Sequence, residues 1–222
     1  MLTPDEPDTR ESSLTSSSVT PPSVELPPAR TEGNVTVEEA MARRRSIRHY
    51  GSKPISLSSI SQILWAAQGI TEGDAGFRTV PSAGALYPLE IYVVVRRGGV
   101  EGLPEGVYHY HPRGHVLTLV KDGDRSVDLE VATWNQESVR EAAATIVITG
   151  VLSRTAEKYG RRGAHYLFQE SGHAAQNVFL QATALGIGTV VMGAFSEGAV
   201  RRVLGAGIGE RPLYVQPLGK PE

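Results

Sequence analysis

The sequence RRGAHYLFQESGHAAQNVFLQATAL, residues 161–185, carries a sustained helical pattern. Its apolar and small residues fall at positions 164, 167, 168, 171, 174, 175, 178, 179, 182 and 185, and Gly186 follows directly. A spacing of three and four residues predicts one long amphipathic helix, and a glycine commonly ends such a helix. We expect this helix to be the central element against which the rest of the chain packs.

Short apolar runs on either side of this pattern predict the strands of a sheet. The run LEIYVVV (89–95) has the length and β-branched composition of a strand that is covered on both faces. Two further runs flank Pro112-Arg113-Gly114 and predict a hairpin. Strands are expected at residues 89–95, 107–111, 116–120, 145–149, 188–192 and 213–218.

Capping signals and apolar spacing predict the remaining helices. Thr36-Val37-Glu38-Glu39 is a capping box that opens the first of them, and Ser56 caps the second. Helices are expected at residues 36–45, 56–69, 126–143 and 197–204. Such an alternation of helices and strands places the chain in the α+β or α/β class, with helices covering a central sheet.

Composition limits the kind of protein this can be. The chain has 222 residues, 40% of them hydrophobic, a net charge of -2 and no cysteine. Disulfides, thiolate metal sites and cysteine nucleophiles are therefore excluded. The balanced charge gives no general field for nucleic acid or an anionic membrane. Because no signal peptide and no apolar run of about 20 residues is present, we expect a cytoplasmic protein.

Residues 1–34 differ in composition from the rest of the chain. They are rich in Ser, Thr, Pro and Glu and contain few large apolar side chains. This composition predicts a flexible arm, since burial cannot offset the entropy of ordering. As an alternative, Val24, Leu26 and Pro27-Pro28 dock in extended form on the domain or on a partner subunit. The folded domain is expected to cover residues 35–222.

Several common site motifs are absent or poorly matched. The chain has no P-loop and no Gly-x-Ser-x-Gly elbow, and the glycines at 205–209 follow a helix rather than a strand. His109 and His111 share one strand face, and His115 lies nearby. Because no carboxylate or cysteine adjoins them in sequence, we expect exposed strand histidines and no metal site.

The segment RRRSIRHY, residues 43–50, concentrates positive charge at a helix end. Guanidinium groups and a hydroxyl match the acceptor oxygens of a phosphate monoester, so Arg44, Arg45, Ser46 and Arg48 form a candidate phosphate site. In the alternative interpretation, the arginines only compensate the dipole at the helix C-terminus. Spacing alone leaves both interpretations open.

Two segments of small residues stand beside predicted strands. Residues 79–88 contain Ser82, Ala83 and Gly84 between two prolines, and residues 191–195 contain Gly193 and Ala194. Small side chains let a backbone approach a flat ligand closely. Such segments are also common as tight connections to strands.

Four segments, in this order, resemble the FMN-dependent nitroreductase superfamily and, more closely, its SagB-type dehydrogenase branch. They are RRSIRHY, PSAGALYPLEIYVV, KYGRRGAHYLFQESGHAAQNVFLQATALGIGT and LYVQPLGKP, and the resemblance covers about residues 37–221. It implies a nitroreductase-like α+β fold, with a mostly antiparallel sheet covered by helices. It also implies a homodimer with FMN bound at the subunit interface.

The resemblance assigns roles to individual residues. It implies that the arginine segment holds the FMN phosphate, helped by Lys220, and that the loop after Val80 lines the flavin ring from the other subunit. Amide donors would meet the pyrimidine edge, and the backbone after Val191 would face flavin N5. The implied cofactor-binding residues are Arg44, Arg45, Ser46, Arg48, Pro81, Ser82, Ala83, Gly84, Leu86, Asn135, Gln136, Met192, Gly193, Ala194 and Lys220.

Lys158 and Tyr159 coincide with a pair that azole-forming dehydrogenases use as a candidate base. For Lys158 to remove a proton near neutral pH, burial would have to lower its proton affinity. The alternative is a lysine in solvent at the start of a helix. His173, in the same region, is interpreted as a packed helix residue.

The resemblance implies an FMN oxidoreductase with ping-pong exchange between NAD(P)H, or an oxidisable substrate, and a small-molecule acceptor. One alternative is an azoline-type heterocycle dehydrogenase that acts on a modified peptide. Another is a flavin-binding or storage module without turnover.

Overall fold

A computed structural model describes residues 22–73 and 76–222. The helices of these ranges are α1 (Val37–Arg43), α2 (Leu57–Gln68), α3 (Ser126–Ala132), α4 (Glu137–Glu141), α5 (Leu152–Tyr159), α6 (Gly163–Ala184) and α7 (Glu197–Leu204). The strands are β1 (Ser23–Glu25), β2 (Ile55–Ser56), β3 (Ile70–Glu72), β4 (Phe77–Arg78), β5 (Leu89–Val95), β6 (Val100–Glu101), β7 (Gly106–His111), β8 (Val116–Asp122), β9 (Ala144–Val151), β10 (Gly188–Thr189) and β11 (Glu210–Gly219).

Seven strands form the main sheet, in the order β1-β8-β7-β5-β9-β11-β10. Every neighbouring pair in this sheet is antiparallel. The central strands β5 and β9 are buried along almost their whole length, as their apolar sequences predict. The predicted α+β class with an antiparallel sheet is confirmed.

Helices cover both faces of this sheet. Alternate residues of β5 point to opposite sides, so Ile91 and Val93 pack with α2 and α6, whereas Tyr92 and Val94 pack with α3, α4 and α7. Each fully buried Ile or Val side chain in these layers contributes about 1.5–3 kcal/mol of hydrophobic stabilisation. The result is a three-layer domain with the sheet in the middle.

The predicted long helix is α6, which lies on the sheet. It begins at Gly163 because residues 160–162 form a separate 3-10 turn. Leu167, Ala174, Val178 and Ala182 are buried on its sheet-facing side, as the periodicity predicts. Neither α6 nor any other helix in the described ranges is long and apolar enough to cross a bilayer.

The region of residues 126–159 differs from its sequence prediction. The helix predicted at 126–143 is two helices, because Trp134 and Asn135 adopt positive φ angles of 56° and 61°. The Thr133 hydroxyl bonds back to the carbonyls of Leu129 and Glu130 and so satisfies the end of α3. Helix α5, which carries Lys158 and Tyr159, was not predicted.

The described part of the N-terminal arm lies in extended form on the domain. Strand β1 pairs with β8, and the next residue, Leu26, has only 7% of its surface exposed. The backbone of Arg30 exchanges two hydrogen bonds with the Gln62 side chain of α2. Residues 1–21 lie outside the described ranges, and the domain boundary at residue 34 stays a prediction.

A chain of hydrogen bonds fixes the arm to the domain through His115. The Ser61 hydroxyl donates to the carbonyl of Pro27, so its oxygen accepts from Nε2 of His115, at 2.7 Å. The remaining ring nitrogen, Nδ1, then accepts from the buried Tyr110 hydroxyl at 2.8 Å. This directional chain requires a neutral His115 protonated on Nε2.

We expect the arm attachment to weaken in acid. Burial lowers the pKa of His115, so the unfolded chain binds this proton more readily than the folded one does. Stability should therefore fall as the pH drops below the ordinary histidine value of about 6.5. Urea unfolding at several pH values measures this effect.

His115→Asn is the matched variant for this measurement. Asparagine tolerates the positive φ of 52° at this position but does not titrate. The free energy of unfolding of this variant should be lower than that of the wild type at neutral pH and should fall less on acidification. The slope that remains includes the effect of half-buried His111, whose pKa is also lowered by burial. An unchanged acid slope would contradict the assignment to His115.

Candidate functional site

The arginine segment lies between β10 and the C-terminal residues. Ile47 N donates to the carbonyl of Thr189 at 2.9 Å, and Ser46 forms a parallel bridge with the same residue. Tyr50 pairs with Pro221, and Gly51 N donates to the carbonyl of Lys220 at 2.9 Å. The structure therefore brings Lys220, predicted from the opposite end of the chain, beside the segment.

The side chains of this segment have different surroundings. The Arg44 guanidinium lies 5.0 Å from the ring centroid of Phe179 on α6. Arg45 donates to the carbonyls of Ala42 and Arg44 at the end of α1, as the helix-dipole alternative predicts. Ser46 and Arg48 are exposed. Arg43 pairs with Glu39, whereas Arg44, Arg45 and Arg48 form no ion pair with a carboxylate among the described residues.

The proline-bracketed loop has a strained backbone. Gly84, Ala85 and Tyr87 have φ angles of 63°, 55° and 45°, and two of these residues carry side chains that disfavour such values. The Ser82 hydroxyl accepts from Tyr87 N at 2.9 Å, and its carbonyl accepts from Ala85 N at 3.0 Å. Backbone strain of this kind is maintained by surrounding structure and occurs often at functional sites.

Lys158 and Tyr159 lie directly against this loop. A Cβ atom placed on Gly84 would be 2.9 Å from Lys158 Nζ and 2.7 Å from the Tyr159 hydroxyl. The structure thus joins two groups of residues that the sequence predicted separately. Lys158 is exposed in the single chain, so the chain alone does not provide the burial that a base would need.

The backbone after β10 is exposed next to a small cavity. Gly193 and Ala194 lie on the surface between the buried Met192 and Phe195. Gly193 lines a cavity of about 330 Å³ together with Phe168 and Ser171 of α6. Asn135 and Gln136 are exposed in the loop between α3 and α4, which is tied to this region because Ser196 N donates to Ala132 O at 2.9 Å.

Helix α6 places these groups on two opposite faces. Phe179, under Arg44, and Phe168, beside Gly193, are eleven positions apart, which puts them on the same face about 16 Å apart along the axis. Glu170, which binds the loop residue Ser82, is nine positions from Phe179 and therefore faces the other way. One chain does not bring its own arginine segment and its own proline-bracketed loop to one side of α6.

A buried polar cluster beneath the loop was not predicted. Glu170 Oε2 accepts from Ser82 at 2.6 Å, and Arg78 donates to Gln68 Oε1 at 2.7 Å. Burial raises the pKa of Glu170 to about 7, against the opposing effects of Ser82, Arg78 and Gln68. The sequence contained one signal for this cluster, because Glu170 falls on the apolar stripe of the α6 pattern, three positions after Leu167.

The histidines of the β7–β8 hairpin are not simply exposed, so that prediction was wrong. His109 Nε2 lies 2.8 Å from a Glu90 carboxylate oxygen, which comes from the neighbouring strand β5 and was not visible as a sequence neighbour. His115 belongs to the hydrogen-bond chain of the arm. Among the residues that the structure describes, no group of three candidate ligands could hold a metal ion.

The sequence comparisons identify the family. A model of the nitroreductase family matches residues 41–220, so the chain belongs to the nitroreductase family. The protein MJ1384 of Methanocaldococcus jannaschii, whose name assigns it to the nitroreductases, is 44% identical over 186 residues, with 84% of this chain and 91% of that protein covered. The microcin B17-processing protein McbC of Escherichia coli is 25% identical, with 84% of this chain and 71% of McbC covered.

Solved structures agree with this family. A structure from Ralstonia eutropha that is named for the nitroreductases has a TM-score of 0.79 and 26% identity, with 90% of both chains covered. The NADPH:FMN oxidoreductase of Vibrio harveyi, solved with NAD+, has a TM-score of 0.60 and 22% identity, with 84% of this chain and 69% of that chain covered. At that identity the second similarity concerns the fold alone. The family predicted from the four sequence segments is confirmed.

Gly84→Ala tests the packing of the loop against Lys158 and Tyr159. Because an alanine at a φ of 63° costs about 1–2 kcal/mol and its Cβ would displace both side-chain ends, we expect a lower free energy of unfolding. Chemical denaturation measures this change. Gly209→Ala, just before β11, is the control, since its Cβ would meet no neighbour within 4 Å and its φ is not positive. This control should gain about 0.4–1 kcal/mol, and equal stability of the Gly84 variant and the wild type would contradict the loop geometry.

Proposed function

We propose that the protein is an FMN-dependent oxidoreductase. The observation that carries this proposal is the single face of α6 on which the arginine segment and the exposed Gly193 backbone both lie. A mononucleotide with an anionic end and a flat ring matches the two ends of this face. The Vibrio harveyi oxidoreductase, which shares the fold, is named for FMN and NADPH.

The residues present fit the phosphate end of FMN. Arg44 and Arg48 would supply guanidinium donors, Ser46 a hydroxyl and Lys220 an ammonium group, and no described carboxylate pairs with the arginines. The exposed Ser46 and Arg48 remain open to a ligand. Arg45 contributes charge, although its side chain is already bonded to helix carbonyls.

Small residues fit the ring end. The exposed backbone of Gly193 and Ala194 would donate N–H groups at close range, and the amides of Asn135 and Gln136 would act as further donors. Buried Met192 supports this backbone from the sheet side. FMN, when bound, supplies a two-electron carrier that serves a donor and an acceptor in turn. We propose NAD(P)H, or an oxidisable substrate, as the donor.

We propose a homodimer in which the partner copy completes the site. The loop residues Pro81, Ser82, Ala83, Gly84 and Leu86 lie on the face of α6 opposite to the arginine segment. A second copy related by twofold symmetry would bring its own loop to the first copy's ring end. The exposed Phe168 on α6 would gain burial in such an assembly.

Removal of the phosphate donors tests the proposal. Arg44→Ala combined with Arg48→Ala should give a folded dimer that purifies nearly colourless, because two charge-assisted interactions with the phosphate are lost. Flavin absorbance per protein is the measurement, and dimer content is checked by light scattering. Arg43→Ala is the control, since Arg43 pairs with Glu39 on the outside of α1. Unchanged flavin content in the double variant would refute the phosphate assignment.

A specific contact favours a second candidate function, a dehydrogenase of azoline-type heterocycles on a peptide. Lys158 and Tyr159 flank the loop at Gly84, where they could take a proton from a substrate above the ring. The relative McbC is named for microcin B17 processing. The polar ends of both side chains converge at this one point.

Lys158→Met with Tyr159→Phe distinguishes the two candidates. The double variant should bind flavin normally, since neither side chain belongs to the phosphate site. If the protein is an azoline dehydrogenase, single-turnover oxidation of an azoline peptide should fall at least about a hundredfold, as expected for loss of a general base. Anaerobic bleaching of the flavin by NADH or NADPH should persist. Unchanged azoline oxidation would exclude a role for the pair.

A further inference from the structure

The buried carboxyl of Glu170 has one bonded and one unbonded oxygen. Its side chain lies beneath the proline-bracketed loop, and only 2% of the residue surface is exposed. Oε2 accepts a hydrogen bond of 2.6 Å from Ser82, whereas Oε1 has no partner among the described residues. An orphaned oxygen on a buried carboxylate is unfavourable, so this carboxyl readily takes up a proton.

Few charges surround this carboxyl. Arg78 approaches from β4, but its guanidinium donates to Gln68 Oε1 and lies 4.4 Å from the ring centroid of Tyr87. Gln68 approaches from α2 and its side chain opposes the rise in the pKa of Glu170, but its Nε2 is not close enough to any described acceptor to form a hydrogen bond. Farther out, the Glu90 carboxylate is paired with Arg154. Lys158 and Tyr159 reach the other side of the loop, at Gly84.

The hydroxyl of Ser82 can donate only one hydrogen bond. While Glu170 is ionised, that proton points to the carboxylate. When Glu170 is protonated, its own O–H can donate to the Ser82 oxygen, which also accepts from Tyr87 N. The Ser82 hydroxyl is then free to donate its proton to a ligand on the exposed side of the loop at Gly84.

We propose that Glu170 is a positioning residue that determines whether Ser82 donates a hydrogen bond to a ligand bound against the exposed side of the proline-bracketed loop. Binding of a ligand that accepts from Ser82 would then be accompanied by uptake of one proton from solvent onto Glu170. The only bond that forms in this step is the O–H bond of the Glu170 carboxyl, whose proton comes from solvent, and no electron moves. The inference rests on the proposed function in one respect, because FMN is taken as the ligand.

Infrared spectroscopy tests the protonation of Glu170 without any ligand. The flavin-free wild type should show the carbonyl band of a protonated carboxylic acid, which disappears with a midpoint near the raised pKa of about 7. Glu170→Gln should lack this band. Glu101→Gln, at an exposed position on β6, should keep it. A wild type without such a band near neutral pH would overturn the inference.

The pH dependence of FMN affinity tests the action through Ser82. As the pH falls from about 8.5 to about 5.5, the FMN affinity of the wild type should rise about tenfold more than that of Glu170→Gln. This factor corresponds to the contribution of one hydrogen bond. Ionisation of the FMN phosphate affects both proteins equally, so the comparison cancels it. Ser82→Ala, a second variant that does not depend on folding of Glu170→Gln, should keep the infrared band but lose the extra pH dependence.

The outcomes separate this inference from the proposed function. If FMN binds and the three proteins share one pH profile, the inference is overturned and the proposed function stands. If the wild type does not bind FMN at all, the proposed function fails, and the inference fails with it.

Discussion

The rigid packing of α6 on the antiparallel sheet is the constraint on which the other features depend. Its buried stripe, from Leu167 to Ala182, fixes the rotation of the helix about its axis. That rotation determines which side chains flank Arg44, which flank Gly193 and which lie beneath Ser82. The helix therefore belongs to the structural core and also positions the site, since residue spacing along it sets the distance between these groups and the face on which each one lies.

Elements with a strong apolar period were predictable because burial dominates their energetics. The helix α6 and the strand β5 match their predicted positions closely, and the alternation of Ile91, Tyr92 and Val93 places both helical layers. Local signals failed where one side chain competes with the backbone. The bond from Thr133 to Leu129 and the positive φ of Asn135 split a predicted helix, and no period reveals such a break.

The candidate site was predictable only in part, because local sequence signals do not reveal contacts between distant parts of the chain. Segments such as Arg44–Arg48 and Ser82–Gly84 were found because their residue types are unusual for their places in the chain. The contact between Gly84 and Lys158 joins positions far apart in sequence, so spacing could not give it. Glu170 was hidden within the apolar stripe of α6, where a single acid looks like an irregularity. Its environment comes from β4 and α2, which only the folded chain brings together.

The short strands β1 and β10 have a consequence for contacts between molecules. A sheet whose outermost strand is long and unpaired offers a template on which another chain can add a strand, and this is a route to aggregation. Here β1 covers the free side of β8 with three residues, and β10 covers part of β11 with two. Both margins of the sheet thus carry very short strands, which close the paired parts of β8 and β11 to intermolecular pairing.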